Sequence, residues 1–217
     1  MNFLTFLTIV SVFVSSSISF AGPAEDFAAE CARKGLETRG MKRFSTQGAD
    51  ERWFFNASEL LHVGAGKFWT GDWKNAAENQ QNPIPFLAHF QQLLAEKGIE
   101  LLLVPVPTKA SIYPDKLNGR FKAGEPFSTK PFLELIEAAG LTVLDLEPVF
   151  AAERAAGKKI YCEQDSHFSP HACAVIAKLA IDRVREKSWF QGQPRPLEIQ
   201  RSAPTELGIV GDQVPEE

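Results

Sequence analysis

The sequence has 217 residues, a formal net charge of −4, 44% hydrophobic and 23% charged residues. This composition can build a packed core and excludes a disordered chain. No basic run is longer than Lys158-Lys159, so neither nucleic acid nor an anionic membrane surface is expected as a partner.

Residues 1–21 (MNFLTFLTIVSVFVSSSISFA) hold an apolar stretch from Phe3 to Val14 and a small-residue end. That pattern fits a signal peptide cleaved before Gly22. The apolar run is short for a membrane span of about 20 residues, so no stable span is expected after cleavage. The expected location is periplasmic or secreted, and residues 22–217 fit one domain. Of Cys31, Cys162 and Cys173, two can pair in an oxidising compartment. Cys162–Cys173 is the favoured disulfide candidate, and Cys31–Cys162 is the alternative.

Ala24 to Lys34 has helical character and ends before Gly35. Residues 36–52 carry no clear pattern. Arg52 to Leu61 (RWFFNASELL) reads as a strand and a turn, and the glycines between 62 and 73 indicate a loop. Pro85 to Lys97 has helical apolar spacing, with Pro85 near the first turn and Gly98 as the stop. Ile99 to Val106 (IELLLVPV) is a nearly unbroken apolar run, the mark of a strand buried on both faces.

Residues 107–127 form a long loop with Lys109 and Tyr113. A helix over 128–139, capped by Ser128 or Thr129, leads to a second buried strand over 141–146 and a short helix over 147–156. Residues 159–162 read as a short third strand or extended segment. Ser169 to Lys187 gives the clearest helix, with Ser169 as cap and Pro170 at its first position. Its apolar face is 172, 175, 176, 179, 180 and 184.

Alternating helices and apolar strands predict an α/β fold, a three-layer parallel sheet flanked by helices. Three strands are fewer than such a domain usually has, so the sheet is read as open to completion. Working groups gather at the carboxyl ends of parallel strands. Lys109, Asp145 and residues 162–171 follow apolar strands and are expected on one rim.

The segment YCEQDSHFSPHAC, residues 161–173, carries the chemistry. In an extended chain, residues i and i+2 share a side. Asp165 can then hold the His167 imidazole, fix its tautomer and support the imidazolium, which is the base half of a nucleophilic triad. The competing structural reading is a capping turn before the helix. A metal reading uses His167 and His171, four residues apart, with Asp165 or a cysteine. The helix is expected to begin between the two histidines, and the cysteines are expected to be oxidised, so no metal and no cofactor is assigned. His62 and His89 read as structural residues, and His171 as a residue of the helix surface.

Three segments, RWFFNASEL, LLLVPVPTKASIYPDKL and YCEQDSHFSPHACAVIAK, together resemble the SGNH hydrolase-like domain of alginate O-acetyltransferases of the AlgX/AlgJ type, over about residues 50–185. The resemblance implies an SGNH-like (flavodoxin-like) α/β fold, a periplasmic setting, a polysaccharide acceptor and an acetyl donor. It implies acetyl transfer to exopolysaccharide hydroxyls through a Ser-His-Asp triad, with Asp165 as the acid and His167 as the base. Lys109 and Tyr113 are candidates to line the substrate site.

The serine departs from the pattern. Neither Gly-Asp-Ser nor Gly-x-Ser-x-Gly occurs, and Gly71-Asp72 and Gly211-Asp212 are followed by Trp73 and Gln213. Ser166 points away by alternation, and Ser111 has only its loop position in its favour. The sequence is therefore read as the N-terminal portion of a longer domain. A carbohydrate acetylesterase and a non-catalytic periplasmic polysaccharide-binding or assembly factor are the alternatives.

Overall fold

The computed structural model describes residues 22–66, 83–124 and 128–191. The leader pattern of residues 1–21, Gly71-Asp72 and residues 192–217 lie outside the described residues.

Helix α1 spans Pro23–Gly40, with Pro23 in its first turn, and runs past Gly35, where the sequence predicts a stop. The reason is packing. Helix α2, Ala57–Gly64, crosses α1 so closely that a Cβ on Gly35 would lie 2.8 Å from Leu61 Cγ, and one on Gly64 would lie 2.6 Å from Ala32 Cα. These glycines are contact points between helices. Asn56 starts α2 by accepting from the Ser58 (2.8 Å) and Glu59 (3.4 Å) amides, which satisfies two of the free N–H groups of the first turn.

Between the two helices lies an antiparallel pair, β1 (Ser45–Gln47) and β2 (Phe54–Asn56), with Thr46 opposite Phe55. Of this pair only β2 was legible, because β1 is three residues long and polar.

Helix α3 (Ile84–Ala95) leads to β3 (Leu102–Leu103). Two single-turn helices follow, α4 (Lys109–Ile112) and α5 (Pro114–Leu117). Then come α6 (Lys130–Ala138), β4 (Thr142–Val143), α7 (Glu147–Ala155) and α8 (Pro170–Arg185). Strands β3 and β4 are parallel, Leu102 opposite Thr142 and Leu103 opposite Val143, and the Leu144 amide donates to Leu103 O at 2.8 Å.

The expected three-layer sheet is thus represented, among the described residues, by one two-stranded parallel ladder. Residues 159–162 are not its third strand. Tyr161 instead forms an antiparallel bridge with Phe168. The run 99–106 is half-buried where burial on both faces was expected, and Val106 is 54% exposed. Its strand has one neighbour among the described residues. The apolar face predicted for α8 is present but half-covered, with Ala172 buried and Ile176 and Leu179 partly so.

The main core joins α1, α2 and the chain around α8 through Phe27, Phe55, Leu60, Leu117, Phe150 and Ile160, all fully buried. A second cluster, including Ile84, Phe132, Ile136 and Val143, seals α3 and α6 against the parallel ladder. No helix of the described residues is long and apolar enough to cross a membrane.

Candidate active site

The chain from Ile160 to Ser169 doubles back on itself. The Ser169 amide donates to Ile160 O at 2.8 Å, and the Cys162 amide to His167 O at 3.3 Å. Residues 163–166 are the tip of this hairpin-like turn. Ser169 closes its base and opens α8. Its hydroxyl accepts from the Ala172 amide at 3.1 Å and donates to Lys159 O, so one side chain serves as cap and clasp. Beneath the turn, the Tyr161 and Phe168 rings pack with centroids 5.0 Å apart, and Phe150 meets Phe168 at 5.6 Å.

At the tip, one oxygen organises the polar pair. Asp165 Oδ1 accepts from the His167 amide at 2.8 Å and lies 2.5 Å from His167 Nδ1. A carboxylate facing Nδ1 holds the proton there, which leaves the lone pair on Nε2. The His167 side chain is 79% exposed and that of Asp165 is 22% exposed. An exposed pair adds at most about 1 kcal/mol to folding. Its value is therefore in orienting the ring, which stands at the surface.

The two histidines of the motif engage different partners. His171 Nε2 lies 2.7 Å from Glu153 Oε2 and ties α8 to α7. No group of three or more metal-ligating side chains is found among the described residues. Cys31, Cys162 and Cys173 are unpaired in the structure, which does not show the expected Cys162–Cys173 disulfide. Cys162 Sγ lies 3.9 Å from Phe168 O inside the turn, whereas Cys173 is exposed on the first turn of α8 and Cys31 is buried in the core. Burial pushes the Cys31 thiol far above its ordinary range and, less strongly, raises Cys162.

Lys109 and Tyr113 are 0% and 5% exposed, so both stand behind the site and not on a substrate surface. Lys109 Nζ donates to Glu163 O (2.9 Å) and Asp165 O (3.0 Å). The Tyr113 hydroxyl accepts from the Ile160 amide at 2.9 Å. Lys109 and the 162–171 segment do meet, though through the turn and not at the end of a sheet strand. Asp145 serves elsewhere: its Oδ1 accepts from the Glu147 amide at 2.9 Å at the start of α7. It lines a cavity of about 630 Å³ together with Ser111, Glu147 and Arg154, and neither Asp165 nor His167 is among the residues lining it. The Ser111 hydroxyl donates to Thr108 O at 2.8 Å within the α4 turn.

Glu59 carried no chemical signal in the sequence. Its Oε1 accepts from the Ala110 amide at 3.0 Å and anchors α4 to α2. Burial raises its carboxyl above the ordinary range, opposed by the Ala110 and Lys109 amides and the Lys109 charge.

The family model of the SGNH hydrolase-like domain of the acetyltransferase AlgX matches residues 46–212. The alginate biosynthesis protein AlgX of Pseudomonas aeruginosa is 29% identical over 152 residues, covering 68% of this chain and 29% of that protein. A probable alginate O-acetylase AlgJ of Pseudomonas fluorescens is 24% identical over 123 residues, 56% of this chain and 31% of that protein. Among solved structures, the O-acetyltransferase domain of Pseudomonas putida AlgJ superposes with a TM-score of 0.50 at 22% identity, over 69% of this chain and 50% of that one, a likeness of fold. The chain spans less than a third of the length of these curated relatives.

Proposed function

The chain belongs to the family of SGNH hydrolase-like domains of the acetyltransferase AlgX, and from that premise we propose that it serves the transfer of acetyl groups onto polysaccharide hydroxyls. The observation that carries this reading is the contact between Asp165 Oδ1 and His167 Nδ1, with the ring open to solvent.

In the proposed reaction, a serine oxygen attacks the carbonyl carbon of the acetyl donor while His167 Nε2 takes the serine proton. The imidazolium, held by Asp165, returns that proton to the departing group and leaves an acetyl-serine. His167 then takes a proton from a sugar hydroxyl. The sugar oxygen attacks the acetyl carbon, the C–O bond to serine breaks, and serine leaves with the proton. The serine is supplied from outside the described residues. The signal-peptide pattern of residues 1–21 supports a site of action outside the cytoplasm in the same reading.

The test uses the intact gene product, including any sequence beyond Glu217, with an activated acetyl ester as donor and soluble exopolysaccharide oligomers as acceptor. Mass spectrometry is expected to detect acetylated sugar, and His167→Ala and Asp165→Asn to lower the rate by about 10²- to 10⁴-fold. Free acetate without acetylated sugar would convert the assignment to an esterase. Glycan binding that survives His167→Ala, with no acyl chemistry in the wild type, would replace it with a binding role.

A further inference from the structure

Lys109 is a fully buried lysine on the first residue of α4. A buried ammonium is costly to desolvate unless its surroundings replace water. Here two main-chain carbonyls accept its protons, Glu163 O at 2.9 Å and Asp165 O at 3.0 Å. The faces of Trp53 and Phe55 stand 5.3 and 5.5 Å from Nζ, within cation–π range. The Glu59 carboxyl, which accepts from the Ala110 amide, lies on the same side of α4.

The two carbonyls belong to residues i and i+2 of the turn tip, and the second is that of Asp165 itself. Fixing both oxygens fixes the Glu163–Gln164 and Asp165–Ser166 peptide planes, the second of which is part of the backbone from which the Asp165 carboxylate projects. The Phe54 amide supplies another anchor, donating to Glu163 O at 2.9 Å. Phe54 and Phe55 of β2, Lys109 of α4 and the turn tip thus meet at one nitrogen and one carbonyl.

We propose that Lys109 is the positioning residue for the Asp165–His167 pair: its buried ammonium clamps the Glu163 and Asp165 carbonyls and so aims the Asp165 carboxylate at His167 Nδ1. This rests on the reading of the pair as the base half of the acyl-transfer site. Lys109 does not touch substrate. It acts through the backbone of the turn, and a misplacement of about 1 Å at a reacting pair costs on the order of 10² in rate.

The test is Lys109→Met, which keeps a flexible stem and removes the ammonium. The first readout is the His167 tautomer in the full chain, from ring nitrogen shifts in NMR. The wild type is expected to hold the proton on Nδ1, and the variant to raise the share of the Nε2–H form several-fold, with the amide spectrum of α1 and α2 unchanged. The second readout is transfer kinetics in the intact gene product: kcat is expected to fall by about tenfold or more, with KM for the acceptor within about twofold. If Lys109→Met does not fold, Lys109→Gln keeps N–H donors at the same site, and its tautomer is expected to be intermediate. A folded variant of either kind with the wild-type tautomer overturns the proposal. A tautomer shift in a protein whose wild type has no acyl chemistry supports Lys109 as the positioning residue and removes the acetyl-transfer reading.

Discussion

Gly64→Ala tests how tightly the two helices that support the site are packed. A Cβ at this position would lie 2.6 Å from Ala32 N and Cα and 2.7 Å from Ala32 Cβ. Carbon atoms rest about 3.5–4.0 Å apart, so α1 and α2 must part by about 1 Å. Phe27 and Cys31 on α1 and Leu60 and Val63 on α2 are fully buried along this contact, and separation would loosen them together. Overpacking of this kind costs about 1–3 kcal/mol, and the better helix propensity of alanine returns at most about 1 kcal/mol. The net loss, up to about 2 kcal/mol when the full propensity gain is returned, corresponds to a fall in Tm of up to about 8 °C for a chain of this size. Gly40→Ala is the control, since a Cβ there meets nothing within 4 Å, and its Tm should stay level or rise slightly. Thermal unfolding followed by far-UV circular dichroism measures both. A Gly64→Ala protein as stable as the Gly40→Ala protein would refute the packing argument.

Glu30 is held below the ordinary carboxylate range chiefly by Arg33, with Asn118 assisting, against the opposing effect of burial. A depressed carboxyl stabilises the fold above its ordinary pKa and loses that contribution as pH falls. Glu30→Gln should therefore cost stability near neutral pH, and its Tm gap from wild type should close as pH drops below about 4.5, the ordinary value; a gap that widens on acidification contradicts the assignment. Tyr113→Phe removes the oxygen that accepts from the buried Ile160 amide, at a cost of about 1–3 kcal/mol in urea unfolding. No change in midpoint would show that this amide finds another partner. In thiol titration, exposed Cys173 should react first, Cys31 only after unfolding, and all three in denaturant without reductant; a total of one thiol would restore the disulfide.

Much of the local structure was legible in the sequence. Ser169-Pro170 marked the start of α8 and Pro85 the first turn of α3, and Asp165 and His167 do meet, though across a turn and not by alternation along an extended strand. Each of these signals is complete within a few residues. The errors came where a distant segment changed a residue's role. Gly35 looked like a stop and is a helix contact. Residues 159–162 read as a short third strand or an extended segment, and it is the returning chain at Phe168, not the sheet, that bridges Tyr161.

Lys109 and Tyr113 show the same division at the site. Both were singled out by position after an apolar strand, and both are buried. Sequence gives no sign of a hydrogen bond from a lysine to main-chain carbonyls more than fifty residues away, because a carbonyl is the same at every residue.

What the sequence by itself determined is the pairing in the turn, the Asp165 carboxylate with the His167 imidazole, and the Ser169 cap that starts the helix behind them. What only the tertiary structure decided is the setting. The packing of α1 on α2 carries Glu59 to the Ala110 amide, and β2 with the residue before it brings Phe55 and Trp53 around Lys109. Local patterns follow from backbone geometry and side-chain alternation, whereas burial of a charge depends on whether distant dipoles and rings converge to replace its water.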